Sequence, residues 1–192
     1  MFHFSTKSLA RSVVLALALA TVVHAAESAP WHVFHHEAVL GTSLELHFST
    51  PNATDATAAE GAALAEFNRL GKILSGYDAT SEFRQWVATR GEPRRVSPEF
   101  FEVLALFDTW RERTAGALDA AAETAGRLWK TAAQNQRVPS ADELTSAVAA
   151  MHQTHWRLDP IARTATHLTD APLMLNSFAK SYIIERACAA AL

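Results

Sequence analysis

The chain has 192 residues, with 17 Lys and Arg against 20 Asp and Glu, a formal net charge of −3 and a single cysteine, Cys188. The signs are mixed and no basic block occurs, which argues against nucleic acid as a partner. One cysteine excludes an internal disulfide, and the length suits one domain with a real core.

Residues 1–25 read as a signal peptide. Lys7 and Arg11 give a positive start, Val13 to Val23 an apolar stretch, and Val23-His24-Ala25 a small-residue cleavage site. The run is short for a membrane span, so the expected location is periplasmic, by secretion. Residues 26–192 are then one domain.

Trp31 to Leu40 and Ser43 to Ser49 are predicted strands around Gly41-Thr42. In the second, Leu44, Leu46 and Phe48 alternate with Glu45 and His47, the pattern of a half-buried strand. A helix is predicted from about Asp55 to Leu74, with Ala63, Phe67, Leu70 and Leu74 on one apolar face and Gly76 as its stop. Tyr77 to Glu82 reads as a polar turn leading to Phe83 and Trp86. Ser97-Pro98-Glu99 is a helix start, and that helix passes Phe101, Leu104 and Trp110 to about Thr114, near Gly116. Ala120 to Gln134 is predicted helical, with Leu128 and Trp129 as apolar anchors. Ser140 to Glu143 opens another helix with a capping box. His155 to Leu158 and Thr164 to Leu168 form a hairpin around Asp159-Pro160. Ala171 to Leu175 is predicted to be a short buried strand, Asn176 to Ser181 a polar turn, and Tyr182 to Leu192 an apolar helix. Strands and helices mix without regular alternation, so the class is α+β.

Several clusters bear on chemistry. Leu175 to Tyr182 joins a strand to a helix through small residues, an arrangement that aims free N–H groups at a ligand, and Lys180 adds a charge suited to phosphate. His32, His35, His36 and Glu37 have metal-ligand character, but adjacent strand residues face opposite ways, and a polar strand edge is the blander reading. His152 and His155 straddle a helix end. Tyr77 can stack on a flat ring. The turn from Thr114 to Asp119 is tight enough to bring N–H groups and one carboxylate to a ligand. Cys188, among alanines, reads as a packing residue.

The order of these segments is more specific than any one of them. Leu40-Gly41-Thr42, Tyr77-Asp78 with Ser81-Glu82, Ser97-Pro98, Thr114 to Asp119 and Leu175 to Tyr182 together resemble the N-terminal half of the ApbE family, the FAD:protein FMN transferases. That family shows a Met-Gly-Thr turn, a Tyr-Asp-Pro segment followed by Ser-Glu, a Ser-Pro helix start, a Thr-Gly-Gly-Ala-Phe-Asp turn and an Asp-Leu-Gly-Gly-Ile-Ala-Lys-Gly-Tyr loop.

The resemblance implies a T-fold-like α+β domain. It implies transfer of FMN from FAD to a Thr or Ser hydroxyl of an acceptor protein, with AMP released and magnesium (Mg2+) required. Carried over by position, Leu40, Tyr77, Ala117, Leu118, Asp119 and Lys180 would contact FAD, and the Ala179 carbonyl would bind the metal. Met174 replaces the family's Asp, and Asn176, Ser177 and Ser181 replace glycines, which marks a divergent branch. The family's remaining metal-binding carboxylate and Thr, and a His, belong to a second half without counterpart here. The expectation is therefore a truncated and inactive portion of the enzyme. The alternatives are a non-catalytic periplasmic FAD-binding protein and a His-rich metal-binding protein.

Overall fold

The computed structural model describes residues 29–192. The signal-peptide reading of residues 1–25 lies outside the described residues. Two antiparallel strands, β1 (Trp31–Val39) and β2 (Thr42–Ser49), form one small sheet. Phe34 and Phe48 turn inward and meet edge to face, with ring centroids 6.1 Å apart. The register slips by one residue between His36 and Val39. Ala38 absorbs this bulge at φ 61°, and Leu40 (φ 50°) and Gly41 (φ 77°) then close a two-residue turn in the left-handed region. Leucine there carries strain that glycine would not.

Helix α1 (Ala53–Leu74) follows, capped by Asn52, whose side chain accepts from the Asp55 N–H. Its buried face is Ala56, Ala63, Phe67, Leu70 and Leu74, which includes the whole of the predicted stripe. Phe83 and Trp86 lie on a short helix, α2 (Glu82–Val87), where the sequence indicated a turn and then an unassigned stretch. Ser81 supplies the reason: its hydroxyl caps Arg84 and also donates to the Ser75 carbonyl at 2.6 Å. Helix α3 (Pro98–Arg113) starts at the predicted Ser97 cap. Its buried face is Phe100, Val103, Leu104 and Phe107; of the residues the sequence reading placed along it, Leu104 is buried, Phe101 half-buried and Trp110 exposed.

Ala120–Ala122 is a 3-10 turn, and helix α4 (Glu123–Gln134) follows. Of its expected anchors, Leu128 is half-buried and Trp129 is exposed, and Ala132 is the fully buried residue. Helix α5 (Ala141–Met151) has the predicted capping box between Ser140 and Glu143. Strand β3 (Pro93–Arg95), too short to leave a period in the sequence, pairs with the outer hairpin. That hairpin is β4 (Trp156–Asp159) and β5 (Thr164–His167), and the sheet order is β3-β5-β4.

The last segment corrects two expectations. Ala171 to Leu175 is not a strand. Leu173 and Leu175 are buried, but the Met174 N–H donates to the Ala120 carbonyl at 2.9 Å, so the segment pairs with the 3-10 turn and not with a sheet. Helix α6 (Asn176–Ala191) begins at once, so the predicted polar turn is its first turn and a half. Asn and Ser sit comfortably at a helix start, where no preceding turn competes for their side chains. Cys188 is exposed and not packed. Helix α6 packs along α1, and also against α3. An α+β architecture results. Its core is an aromatic cluster of Phe83, Trp86, Phe100 and Phe107 with Leu70, Leu74, Leu104 and Ile183. The Trp86 indole donates to the Ala165 carbonyl at 3.0 Å, which ties the core to β5.

Candidate functional site

Three of the candidate residues, far apart in the chain, meet at one cleft of about 470 Å³. Leu40 and Gly41 of the strained turn, Ser75 and Tyr77 after α1, and Asn176 and Lys180 of α6 line it, together with Ala38. Each is brought there by local chemistry. The bulge and left-handed turn project Leu40, whose Cδ2 lies 3.8 Å from where a Cβ on Gly71 would stand. Ser75 Oγ accepts from the N–H groups of Tyr77 (3.2 Å) and Asp78 (3.0 Å) and curls the loop so that Tyr77 stays exposed. Such serine turns are legible in sequence; Ser75 was not singled out there. The loop is held from behind by Met174, whose Sδ and Cε would lie 3.3 Å from a Cβ on Gly76.

Helix α6 contributes its N-terminus. Leu175 occupies the cap position and offers no capping side chain. The start of the helix therefore presents main-chain N–H groups without a side-chain acceptor, next to the Lys180 ammonium at the cleft. That combination favours an anion. The site residue that sequence reasoning missed is Asn176, noted only as a replaced glycine. Its Nδ2 donates to the Tyr77 hydroxyl at 3.1 Å.

A second cleft, about 610 Å³, lies behind the bulge and shares Ala38, Leu40 and Ser75 with the first. Lys72, Asn68 and Asp78 line it over an apolar floor of Leu64 and Phe67. The Thr80 hydroxyl, and then the Thr80 N–H, hold the Asp78 carboxyl below the usual carboxylate range.

Ala117, Leu118 and Asp119 do not line the first cleft. Their turn is tight, with Ala115 at φ 50° and Gly116 at φ 84°, but its N–H groups are already engaged. Those of Thr114, Ala115, Gly116 and Ala117 donate to main-chain carbonyls, and that of Leu118 to Thr114 Oγ1. The expected N–H cradle there is therefore occupied by the turn itself. Ala117 is exposed and Leu118 half-buried. Asp119 is buried and accepts from the Ala121 N–H at 2.7 Å. Arg111 Nε lies 2.8 Å from Asp119 Oδ2 but off the hydrogen-bonding line, so this oxygen is ion-paired without a hydrogen bond.

Ala179 is buried one turn into α6, where a helical carbonyl is directed at the N–H four residues on. The histidines of β1 are split between faces. His35 meets the exposed Glu45, and His36 meets Glu60 of α1 at 2.8 Å. His155 is buried between Thr169 Oγ1 and the Met151 carbonyl, whereas His152 stays at the surface against Gly116. Among the described residues no group of three or more His, Cys, Asp or Glu is disposed to hold a metal ion.

The model of the ApbE family matches residues 40–192. The fold is similar to that of the ApbE protein of Thermotoga maritima, with a TM-score of 0.70 and 24% identity over 85% of this chain and 53% of that one. It is also similar to the flavin transferase ApbE of Vibrio cholerae (TM-score 0.68, 19% identity, 84% and 53%) and to the flavinyl transferase ApbE of Pseudomonas stutzeri (0.64, 23%, 84% and 54%). The chain thus spans a little over half the length of these structures. No curated protein matches it. With most of its described length under the family model and its α+β fold shared with solved members, the chain belongs to the ApbE family.

Proposed function

We propose that the protein is a flavin transferase that moves FMN from FAD to a Thr or Ser hydroxyl of an acceptor protein in the periplasm. In this reaction the hydroxyl oxygen bonds to the phosphorus of the FMN half. The bond from that phosphorus to the bridging oxygen breaks, AMP leaves, and the hydroxyl proton is released. The single observation that carries the reading is the convergence of Leu40, Tyr77 and Lys180 with the uncapped start of α6 on one cleft. Lys180 and the helix start suit the pyrophosphate. The exposed Tyr77 ring and the Leu40 side chain suit a flat ring system. Ala117, Leu118 and Asp119 belong to the same reading as a second contact region, through the surface that Ala117 and Leu118 leave accessible, the Asp119 side chain being buried. Asp119 and Arg111 there hold the turn in shape.

Magnesium belongs to the family reading, with the Ala179 carbonyl as one ligand. The described residues do not by themselves fit a site for it. A hard cation of this size takes about six oxygens in octahedral array. Here the thioether of Met174 stands near the head of α6, and no carboxylate cluster is present among the described residues.

The test is direct. The protein is incubated with FAD, magnesium and an acceptor protein carrying a target Thr, and both acceptor-bound flavin and released AMP are measured. Flavin on the acceptor with equimolar AMP supports transfer. FAD binding that Tyr77→Ala abolishes, without transfer, points to a non-catalytic FAD-binding protein. The absence of both sinks the flavin reading.

A further inference from the structure

We infer that Asn176 is a positioning residue for Tyr77, and that the two form a clasp across the mouth of the cleft. The inference rests on the flavin reading above and extends it to a residue that the family resemblance marks only as a departure.

Tyr77 is 79% exposed, and its ring appears in none of the aromatic contacts that knit the core. Its main chain is held by Ser75 Oγ, which fixes where the side chain starts but not where the ring points. A phenol on a free χ1 and χ2 samples several rotamers. Only those that project over the cleft present a flat face to a ligand.

Among the described residues, the ring's polar contact is the amide of Asn176, 3.1 Å from the hydroxyl and 99 residues away in sequence. Asn176 is the first residue of α6 and lines the same cleft, so its side chain is anchored on a rigid element. Glycine at this position has no group to reach the phenol. The bond therefore ties the mobile aromatic wall to the anion-binding wall and selects the ring orientation before a ligand arrives. The gain is in pre-organisation: binding need not pay to immobilise the ring.

The geometry also limits the ligand. A flat ring held by the clasp lies within reach of the anion subsite formed by Lys180 and the α6 start. The class addressed is an aromatic ring joined to a phosphate, and the clasp should act on FAD binding and not on general stability.

A double-mutant cycle tests this with Asn176→Ala, Tyr77→Phe and the pair, by titrating FAD fluorescence. A solvent-accessible hydrogen bond of this kind predicts a loss of about 2- to 10-fold for either single variant. The double variant should be no weaker than the weaker single one, and flavin quenching at saturation should fall in all three. Both substitutions keep a helix-compatible or aromatic residue, and thermal midpoints near wild type accompany the expected result. In the ligand-free protein, the Asn176 side-chain amide resonance should shift in Tyr77→Phe. Additive losses, or an amide resonance that ignores Tyr77→Phe, overturn the clasp while leaving the flavin reading intact. A wild-type protein that fails to bind FAD, with the amide shift present, instead removes the flavin reading and the ligand assignment built on it.

Discussion

The Met174 N–H donates to the Ala120 carbonyl at 2.9 Å, while the Met174 side chain lies against Gly76. One residue, next to the Leu175 cap of α6, thus joins the turn after Asp119 to the loop that carries Tyr77. Met174→Ala keeps the main-chain bond and removes the support behind the loop. For a half-buried thioether we expect a loss of about 1–2 kcal/mol in urea unfolding. FAD affinity should fall with it, because the Tyr77 loop loses its backing. Unchanged affinity would show that Ser75 alone holds the loop.

Lys180 should act on FAD through charge. Lys180→Gln should weaken FAD binding about tenfold and flatten its salt dependence, whereas Lys180→Arg should retain most of both. Titrations at low and high ionic strength measure this. A glutamine variant as salt-sensitive as the wild type would place the pyrophosphate elsewhere.

Asp119 should prove its worth in stability. Asp119→Ala leaves Arg111 facing a buried site and removes the acceptor for the Ala121 N–H. Because Arg111 retains some access to water, we expect about 3 kcal/mol, the low end for breaking a buried pair. Asp119→Asn keeps the acceptor and should cost about 1 kcal/mol less. Chemical denaturation of the two variants separates the cap from the charge.

Two glycines should respond in opposite directions. A Cβ on Gly61, mid-helix in α1, meets nothing within 4 Å, so Gly61→Ala should stabilise by about 0.5–1 kcal/mol. Gly116 sits at φ 84° with His152 Nε2 3.4 Å from the would-be Cβ. Gly116→Ala should destabilise by at least about 1 kcal/mol. Thermal melts of both variants read the two signs.

Tyr182 is pushed up to about 12, first by burial and then by its hydrogen bond to Glu102. Its folded value lies above the unfolded one near 10. Its contribution to stability is therefore fully present below pH 10 and is lost as pH rises from about 10 to about 12. Over that window the unfolded chain binds fewer protons than the native one, so stability falls with pH. Tyr182→Phe should flatten this part of the profile, and urea midpoints across the window would reveal an unchanged slope if the assignment is wrong.

Much of the fold was legible because its signals are local. The caps at Ser97 and Ser140 are set by side chains that reach their own helix starts. The stripe on α1 and the alternation on β2 follow from period alone. Where partners are distant, the reading failed. Ala171 to Leu175 has the apolar content of a strand but pairs with a 3-10 turn. Trp129 looked like an anchor but is left exposed by the way the described elements pack. Pro93–Arg95 is a strand only because β5 lies beside it.

The sequence by itself determined the α+β class, most element boundaries and, through five ordered motifs, the family. Caps, periods and motif spacing are properties of contiguous residues. Only the tertiary structure decided that Leu40, Tyr77 and Lys180 share a cleft that Ala117, Leu118 and Asp119 do not line. It also decided that the N–H groups of the Thr114–Leu118 turn are spent within the turn, and that Asn176, 99 residues from Tyr77, meets its hydroxyl. Those facts depend on how α1, α3 and α6 pack around the aromatic core, and that packing is a balance of many weak contacts spread over the whole chain.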